Sequence, residues 1–362
     1  MTPLAEILKT KIREEGPVSV HDYMETALSH PDYGYYTQSE PFGSTGDFIT
    51  APEISQMFGE LIGLWCVDCW SKMGSPDRIH LVELGPGNGT LMVDALRSAA
   101  LVPEFAKALE VHLVETSERL IRKQENKLRG HPVTWHREIP DLPNAPALVI
   151  ANEFFDALPV RQYVKTLSGL AERGVGLNGD QFAYTLLASP ASQDDIDQCD
   201  FADLKGETIV ESNPLARALT THIARLLTEV GGAALFIDYG FLEAASGDSL
   251  QAVRNHRYAD PLENPGEADI TAHVDFARLA KIAAAEGCET LPGTSQGRFL
   301  ERLGIEARAM LLSKNATEPQ KEKIAEDLKR LVSSSGMGTL FKVFSFYHTM
   351  AMPPAGFEEG NQ

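Results

Sequence analysis

The chain has 362 residues and a formal net charge of −19 at pH 7, with 43% hydrophobic and 23% charged residues. This composition is that of a globular protein with a large core, and the negative charge disfavours a nucleic-acid binder, since phosphate would be repelled. The sequence has no run of about 18 apolar residues, so a membrane span is not predicted.

The N-terminal region predicts two helices, at residues 2–14 and 20–29, the second with Ser19 and Asp22 as a possible capping box. Acidic residues interrupt the first helix, and an apolar core typical of a secretory signal is missing. The region is also unlike an acid-poor transit peptide. These features predict a cytoplasmic protein.

A glycine-rich loop at residues 43–53 carries Phe48 and Ile49 and is preceded by Phe42, which predicts that it packs on the domain or on a ligand. Glu53 is then predicted to begin a long helix that runs to about Met73. Cys66 and Cys69 lie inside this apolar helix without a second cysteine pair or nearby histidines. They are therefore predicted to be core cysteines rather than a zinc or redox site.

The motif that organises the chain is I-H-L-V-E-L-G-P-G-N-G-T, at residues 79–90. It predicts a buried strand, a turn with three alternate glycines (Gly85, Gly87 and Gly89) and a helix. Such a turn brings a nucleotide-like ligand close to backbone N–H groups, although many tight turns of this kind carry no ligand.

The residues around the glycines decide between possible ligands. Thr90 stands where the dinucleotide-binding fingerprint has its third glycine, which disfavours an NAD-dependent oxidoreductase. Glu83 would repel a pyrophosphate but attract a ligand with an ammonium and a sulfonium group. The turn therefore resembles the first motif of class I S-adenosylmethionine (SAM) methyltransferases, with Glu83 and the three glycines at the cofactor.

A second strand, residues 111–115, ends in Glu115 and precedes a helix at about 118–129. An acid at this position is placed to accept hydrogen bonds from both ribose hydroxyls of a nucleoside. The alternatives are a solvated acid or a helix cap near Ser117. Trp135 and His136 follow on a third strand, where they could stack on adenine or pack in the core.

The rest of the chain continues the alternation of strands and helices. A fourth strand is predicted at 147–151, a fifth at 233–237 and a last one at 339–348, with β-hairpins between 160 and 210. Helices are predicted at 213–230, 273–286, 296–313 and 317–333. The stretch between Gly240 and Ile270 lacks periodicity and resembles a lid or substrate loop. The pattern predicts an α/β fold with a doubly wound, mostly parallel sheet.

Three domains are predicted from these elements. Residues 1–75 form a helical N-terminal extension, 76–160 and 207–362 form the cofactor-binding core, and 161–206 form a small inserted β lobe.

Several stretches together resemble the MidA-like (DUF185) methyltransferases, a family that includes a mitochondrial complex I assembly factor. The matching stretches are residues 46–55, 83–89, 152–160, 237–240, 269–276 and 336–343. The resemblance implies the class I methyltransferase (Rossmann-like) fold, SAM as cofactor and an arginine of a protein partner as methyl acceptor. That partner would be a respiratory complex I subunit or its bacterial equivalent. The inserted lobe matches less well.

Two carboxylates follow the predicted fourth strand, at the edge of the sheet where such a site opens. Glu153 and Asp156 could grip a guanidinium, orient it and receive its departing proton. If residues 152–156 begin a helix, both lie on one face. The alternative is that they cap the helix. Asn152 is predicted at the cofactor's amino-acid end, and it could instead touch the acceptor.

Other candidates have equally plain alternative roles. Asp47 could neutralise the acceptor or make an Asx turn after Gly46. His273 could act as a base, or as a local hydrogen-bonding group at a helix start. Asp238 and Tyr239 end the fifth strand, at the site or in a hydrogen-bonded core. A SAM-binding assembly scaffold with little turnover is the alternative function, and the oligomeric state is left open.

Overall fold

A computed structural model of the protein describes residues 2–38, 50–142, 144–166, 169–190, 208–243 and 245–357. The chain divides into two compact units. The smaller unit comprises Met1–Phe48, Asp156–Ala218 and Ala244–His273, and the larger comprises Ile49–Phe155, Leu219–Glu243 and Val274–Gln362. The three predicted domains divide the chain differently, and their boundaries stay a prediction.

The helices of the described residues are, in chain order, α1 (Pro3–Glu15), α2 (Val20–Ser29), α3 (Tyr35–Gln38), α4 (Ala51–Ile54), α5 (Gln56–Lys72), α6 (Thr90–Ala99), α7 (Pro103–Ala108), α8 (Glu118–Lys127), α9 (Pro214–Val230), α10 (Phe276–Ala285), α11 (Gln296–Arg302), α12 (Ile305–Ser313) and α13 (Glu318–Val332). The strands are β1 (Val18–Ser19), β2 (Ile79–Leu84), β3 (Leu109–Val114), β4 (Val133–His136), β5 (Ala147–Asn152), β6 (Arg161–Thr166), β7 (Gly169–Asn178), β8 (Gln181–Pro190), β9 (Ile209–Ser212), β10 (Gly232–Phe241), β11 (Gln251–Arg254), β12 (Arg257–Ala259), β13 (Asp269–Thr271), β14 (Val274–Asp275), β15 (Glu289–Thr290), β16 (Thr294–Ser295) and β17 (Phe341–His348).

The larger unit is built on a mostly parallel sheet with the strand order β15-β17-β10-β5-β2-β3-β4. Strands β10, β5, β2, β3 and β4 run parallel, whereas β17 is antiparallel to β10. The predicted fold class, a doubly wound and mostly parallel α/β sheet, is confirmed. In register, Glu83 of β2 lies beside Ile150 of β5, so the side chains that end these two strands meet at one edge.

The core of the larger unit packs helices and aromatic side chains against this sheet. Cys66 and Cys69 of α5 are buried free thiols in this core, as predicted. Gly63 of the same helix lets α6 approach closely, because a Cβ there would lie 2.4 Å from the carbonyl oxygen of Ala95. Phenylalanines of β17 are also buried; these are Phe341, Phe344 and Phe346.

The smaller unit contains antiparallel sheets. One has the order β1-β7-β6-β9, with β8 also paired to β7, which confirms the predicted hairpins. A second, three-stranded sheet has the order β12-β11-β13. The stretch between Gly240 and Ile270, predicted to be a lid or substrate loop, therefore contains short strands. These strands are three or four residues long, too short to show a period-two pattern.

Two predicted helices are broken by local backbone geometry. The helix predicted from Glu53 to Met73 is two helices, because Ser55 is extended (φ −156°, ψ 138°) and caps α5. The helix predicted at 296–313 is also two, since Gly304 adopts a left-handed conformation (φ 88°) between α11 and α12.

The predicted cap at Ser19 is confirmed, its hydroxyl accepting a hydrogen bond from the Asp22 amide at 2.9 Å. None of the helices in the described ranges is long and apolar enough to cross a membrane.

Candidate functional site

The turn after β2 has the conformation that its glycines predict. Gly85, Gly87 and Gly89 have φ values of 59°, 53° and 74°, in the left-handed region that other residues adopt only at a cost. A Cβ at Gly85 would lie 2.6 Å from the Phe154 ring, so the turn also has little room. Gly89 precedes α6, which places the open backbone amides of that helix at the turn.

Glu83 lies one residue before the end of β2 and is 3% exposed. Its Oε2 atom is buried and has no hydrogen-bond partner among the described residues. Burial raises the pKa of this carboxyl to about 8. An unpaired buried carboxyl is costly, which indicates a site built for a ligand that supplies a donor or a positive charge.

Asn152, the last residue of β5, provides a second acceptor of the same kind. Its Nδ2 atom donates to Oε1 of Glu153 at 3.2 Å, and its buried Oδ1 has no partner in the described part of the chain. Strands β2 and β5 are neighbours, so Glu83 and Asn152 approach the same edge of the sheet. The two acceptors suit an ammonium group, which carries three donors.

Glu115 follows β3 and is held by local hydrogen bonds. Its Oε1 accepts from the amides of Thr116 and Ser117 at 2.9 and 2.8 Å, and its Oε2 accepts from Gln124 at 3.3 Å. Burial raises its pKa. These two amides precede α8, and the cap of that helix is the Ser117 hydroxyl, which accepts from the Leu120 amide. The contacts leave Oε2 of Glu115 with capacity for a further donor, so the ribose role stays a prediction.

Gln124 is a residue at the turn that the sequence did not single out. It is 0% exposed, and its amide donates to the carbonyl oxygen of Gly87 at 2.8 Å. Its Oε1 accepts from the Trp135 indole at 2.9 Å. Trp135 is thus partly buried against the core in a hydrogen-bonded position. The sequence could have indicated Gln124, because it lies four residues from both Leu120 and Leu128 and therefore on the buried face of α8.

Glu53 also reaches the glycine turn, from α4. Its Oε1 accepts from the hydroxyl of Thr90 and from Nδ2 of Asn88 at 3.4 Å, and it lies 3.9 Å from the ammonium of Lys127. The sequence identified Glu53 only as a helix start. Glu53 therefore links α4 to the turn and to the first residue of α6.

The segment after β5 differs from the prediction, since it does not begin a helix. Glu153 has φ 52°, and residues 153–158 form bends and turns, so the helix face proposed for Glu153 and Asp156 does not exist. The Glu153 amide donates to the carbonyl oxygen of Ile237 at 2.8 Å and so extends the pairing of β5 with β10 by one residue. The left-handed backbone of Glu153 sets the direction of its side chain. Its Oε1 accepts from the Ala51 amide at 3.0 Å, at the start of α4.

Asp238 fixes the same segment from β10. Its Oδ2 accepts from the amides of Phe154 and Phe155 at 3.1 and 2.8 Å, and its Oδ1 accepts from the Tyr239 amide at 2.8 Å. Asp238 is buried, so of its two suggested roles the structure shows the hydrogen-bonded core role. It holds the residues that follow Glu153 in position.

The remaining predicted acids and His273 fall in the smaller unit or outside the described residues. Asp156 is buried, and burial raises its pKa to about 7. Another buried acid of that unit, Asp269, accepts a hydrogen bond from the Tyr36 hydroxyl at 3.0 Å. His273 precedes β14 rather than a helix, and its amide donates to Oγ of Ser249 at 2.8 Å. Asp47 lies outside the described residues.

A five-stranded parallel core with an antiparallel β17, an acid before three left-handed glycines and a second acid after β3 define a class I SAM-dependent methyltransferase. The family model of S-adenosyl-L-methionine-dependent methyltransferases matches residues 61–293. The chain belongs to this family, and it is an enzyme whose cofactor is SAM. Two buried oxygens near the glycine turn, Oε2 of Glu83 and Oδ1 of Asn152, have no hydrogen-bond partner among the described residues and fit the cofactor's ammonium group.

The chain is similar to proteins named protein arginine methyltransferase NDUFAF7, mitochondrial. The Homo sapiens relative is 33% identical, with 95% of this chain and 83% of the relative covered. The Drosophila melanogaster homolog is 35% identical, covering 98% and 88%. A crystal structure of a Burkholderia thailandensis protein bound to S-adenosyl-homocysteine superposes with a TM-score of 0.86 at 28% identity, covering 99% of this chain and 95% of that one. These similarities place the chain among the MidA-like methyltransferases, as its motifs predicted.

Proposed function

We propose that the enzyme transfers a methyl group from SAM to an arginine of a protein partner. The partner would be a subunit of respiratory complex I, or of its bacterial equivalent, methylated during assembly in the cytoplasm. The relatives, which are named protein arginine methyltransferases, support the arginine acceptor. The observation in this chain that carries the proposal is the carboxylate of Glu153, aimed by a left-handed backbone at the edge of the sheet.

The cofactor would be held at the turn after β2. Gly85, Gly87 and Gly89 would admit its methionine portion against the backbone, Glu83 and Asn152 would accept hydrogen bonds from its ammonium, and Glu115 would accept from its ribose. When bound, the cofactor supplies an electrophilic methyl group on a sulfonium. The protein's contribution is then to orient the acceptor and exclude water.

Glu153 would hold the acceptor. A guanidinium is a weak nucleophile because its lone pair is delocalised. A carboxylate that binds it draws the positive charge to the nitrogens it contacts, which leaves a more localised lone pair on the nitrogen facing away. That nitrogen forms a bond to the methyl carbon as the carbon–sulfur bond breaks, and the electron pair of that bond stays on sulfur. The methylated guanidinium then loses one proton to a base.

The backbone of Glu153 also supports a functional role. A non-glycine residue with φ 52° is strained, and such strain concentrates at functional sites.

Asp156 is a candidate for the base, since a pKa near 7 allows a carboxylate to accept a proton and release it at neutral pH. His273 and Asp47 stay predicted participants. Each of the three is tested by its own amide or glutamine variant. Replacement of an essential base should lower the methylation rate and alter its pH profile. Replacement of a structural residue should lower only the melting temperature.

The direct test is a comparison of methylarginine-containing peptides, by mass spectrometry, in cells with and without the protein. We expect an arginine of a complex I-type subunit to lose its methylation in the deletion strain and regain it with the wild-type gene. Complementation with Glu153→Gln should leave that arginine unmethylated. If the variant restores assembly without methylation, the chain acts as a SAM-binding scaffold and the enzymatic proposal is wrong.

A further inference from the structure

A row of three histidines crosses one face of the sheet in the larger unit, apart from the glycine turn. His80, His112 and His136 lie on the neighbouring strands β2, β3 and β4. Nδ1 of His80 lies 3.2 Å from Nε2 of His112, and Nδ1 of His112 lies 3.0 Å from Nε2 of His136. Side chains on one face of adjacent strands are close enough to share a ligand.

A carboxylate completes the group at its more accessible end. Glu110 is opposite His80 in the β2–β3 register, and its Oε2 lies 3.4 Å from Nδ1 of His80. Its side chain is 40% exposed, whereas that of His80 is 5% exposed. Arg78 holds the carboxylate with two hydrogen bonds of 2.9 and 3.0 Å. The carboxylate is thereby both positioned and reachable from solvent.

We propose that His80 Nδ1, His112 Nε2 and Glu110 Oε2 bind a divalent transition-metal ion of the zinc class. The three ligand atoms all lie within 4.8 Å of one another. Two ligands on a tetrahedral zinc ion, each about 2.0–2.1 Å from it, are about 3.3 Å apart. The observed separations of 3.2 and 3.4 Å match this spacing. Two imidazoles and one carboxylate form a common zinc ligand set that leaves a fourth position for water.

His136 gives the site a supporting hydrogen bond. If Nε2 of His112 binds the metal, its Nδ1 carries the proton and donates to Nε2 of His136 across the observed 3.0 Å. Metal-binding histidines usually donate their second nitrogen in this way, which fixes the tautomer and the ring orientation. Arg78 does the same for the carboxylate.

Another group of histidine and carboxylates in the described residues does not meet these requirements. His21, Asp22 and Glu25 all lie on α2 and offer one imidazole, which is paired with its neighbour Asp22 at 3.0 Å. The site at His80 instead joins two strands of the central sheet. Its ion would stabilise the pairing of β2 and β3, because a ligand that binds only the folded state stabilises that state.

The test is calorimetric titration of zinc ion into the untagged, chelator-treated protein. We expect one ion per chain and a rise in melting temperature. His112→Gln should weaken binding at least tenfold, whereas His131→Gln, which removes an exposed histidine outside the group, should leave it unchanged. SAM affinity, measured on the same samples, identifies variants that fold correctly.

Glu110→Gln keeps the size of a half-exposed side chain, so it tests the site even if His112→Gln does not fold. It should also weaken zinc binding at least tenfold. His136→Gln should weaken binding about tenfold through the orientation of His112. Cobalt bound in place of zinc should show visible bands of tetrahedral coordination that are lost in Glu110→Gln. Equal zinc affinity in wild type and Glu110→Gln, or no stoichiometric binding by the wild type, would overturn the proposal.

Discussion

The turn after β2 and the segment after β5 end neighbouring strands, yet they are built by different means. The first uses three glycines in the left-handed region, whose conformation depends on residues next to one another in the sequence. The second places Glu153 in the same region without a glycine, and distant groups hold the segment there. The Ala51 amide donates to the Glu153 carboxylate, and the Asp238 carboxylate accepts from the amide of the next residue, Phe154. The conformation of the glycine turn can therefore be predicted from a motif, whereas the position of the Glu153 carboxylate depends on tertiary contacts.

The largest effect is expected at the glycine turn itself. Gly87→Ala adds a methyl group where SAM approaches the backbone, at φ 53°, and should weaken SAM binding at least a hundredfold by calorimetry. The left-handed backbone alone costs about 1–2 kcal/mol for alanine. Gly130→Ala is the control, because Gly130 has φ 96° and a Cβ there would meet no atom of the described residues within 4 Å. It should show a similar loss of stability with unchanged SAM affinity. Equal SAM affinity in both variants would remove Gly87 from the cofactor.

Glu83 should show opposite effects on binding and stability. Glu83→Gln removes the charge that attracts the ammonium, so SAM should bind about 1.5–3 kcal/mol more weakly. The folded protein holds the Glu83 proton up to about pH 8, whereas the unfolded chain releases it near pH 4.5. The free energy of unfolding of the wild type therefore falls as pH rises through this window, and the variant lacks that loss.

At pH 7.5 the variant should consequently melt at a higher temperature than the ligand-free wild type. Wild-type affinity for SAM should also rise with pH between about 6 and 7.5, by at most tenfold per unit, as Glu83 loses its proton. The variant should show a flat profile over this range. A lower melting temperature with unchanged SAM affinity would mean that Glu83 is only a structural residue.

Glu115 should have a smaller effect, because two backbone amides already occupy its Oε1. Glu115→Ala should weaken SAM by about 1.5 kcal/mol, the lower end of the range for a hydrogen bond to a charged group. Glu118→Ala, at an exposed acid three residues away, is the matched control and should not alter SAM affinity. If both variants bind SAM as the wild type does, Glu115 only holds the residues between β3 and α8.

Most of the parallel sheet and the conformation of the glycine turn could be predicted, because both follow from local patterns. The contact between Glu153 and Ala51 joins residues 102 positions apart, so no local pattern indicates it. The same limit explains Gln124, whose partners lie on the turn and on β4. Helix breaks at Ser55 and Gly304 could be suspected from capping residues, but their geometry depends on packing.

We propose that Glu153 acts on the acceptor and not on the cofactor. Glu153→Gln keeps an oxygen for the Ala51 amide and removes only the charge, so this variant separates the two roles. Calorimetry should give an unchanged dissociation constant for SAM. The rate of arginine methylation per folded molecule should fall at least tenfold, or about 1.4 kcal/mol of transition-state stabilisation. A variant that melts at a lower temperature but methylates at the wild-type rate would mean that Glu153 is a structural residue and does not act on the acceptor.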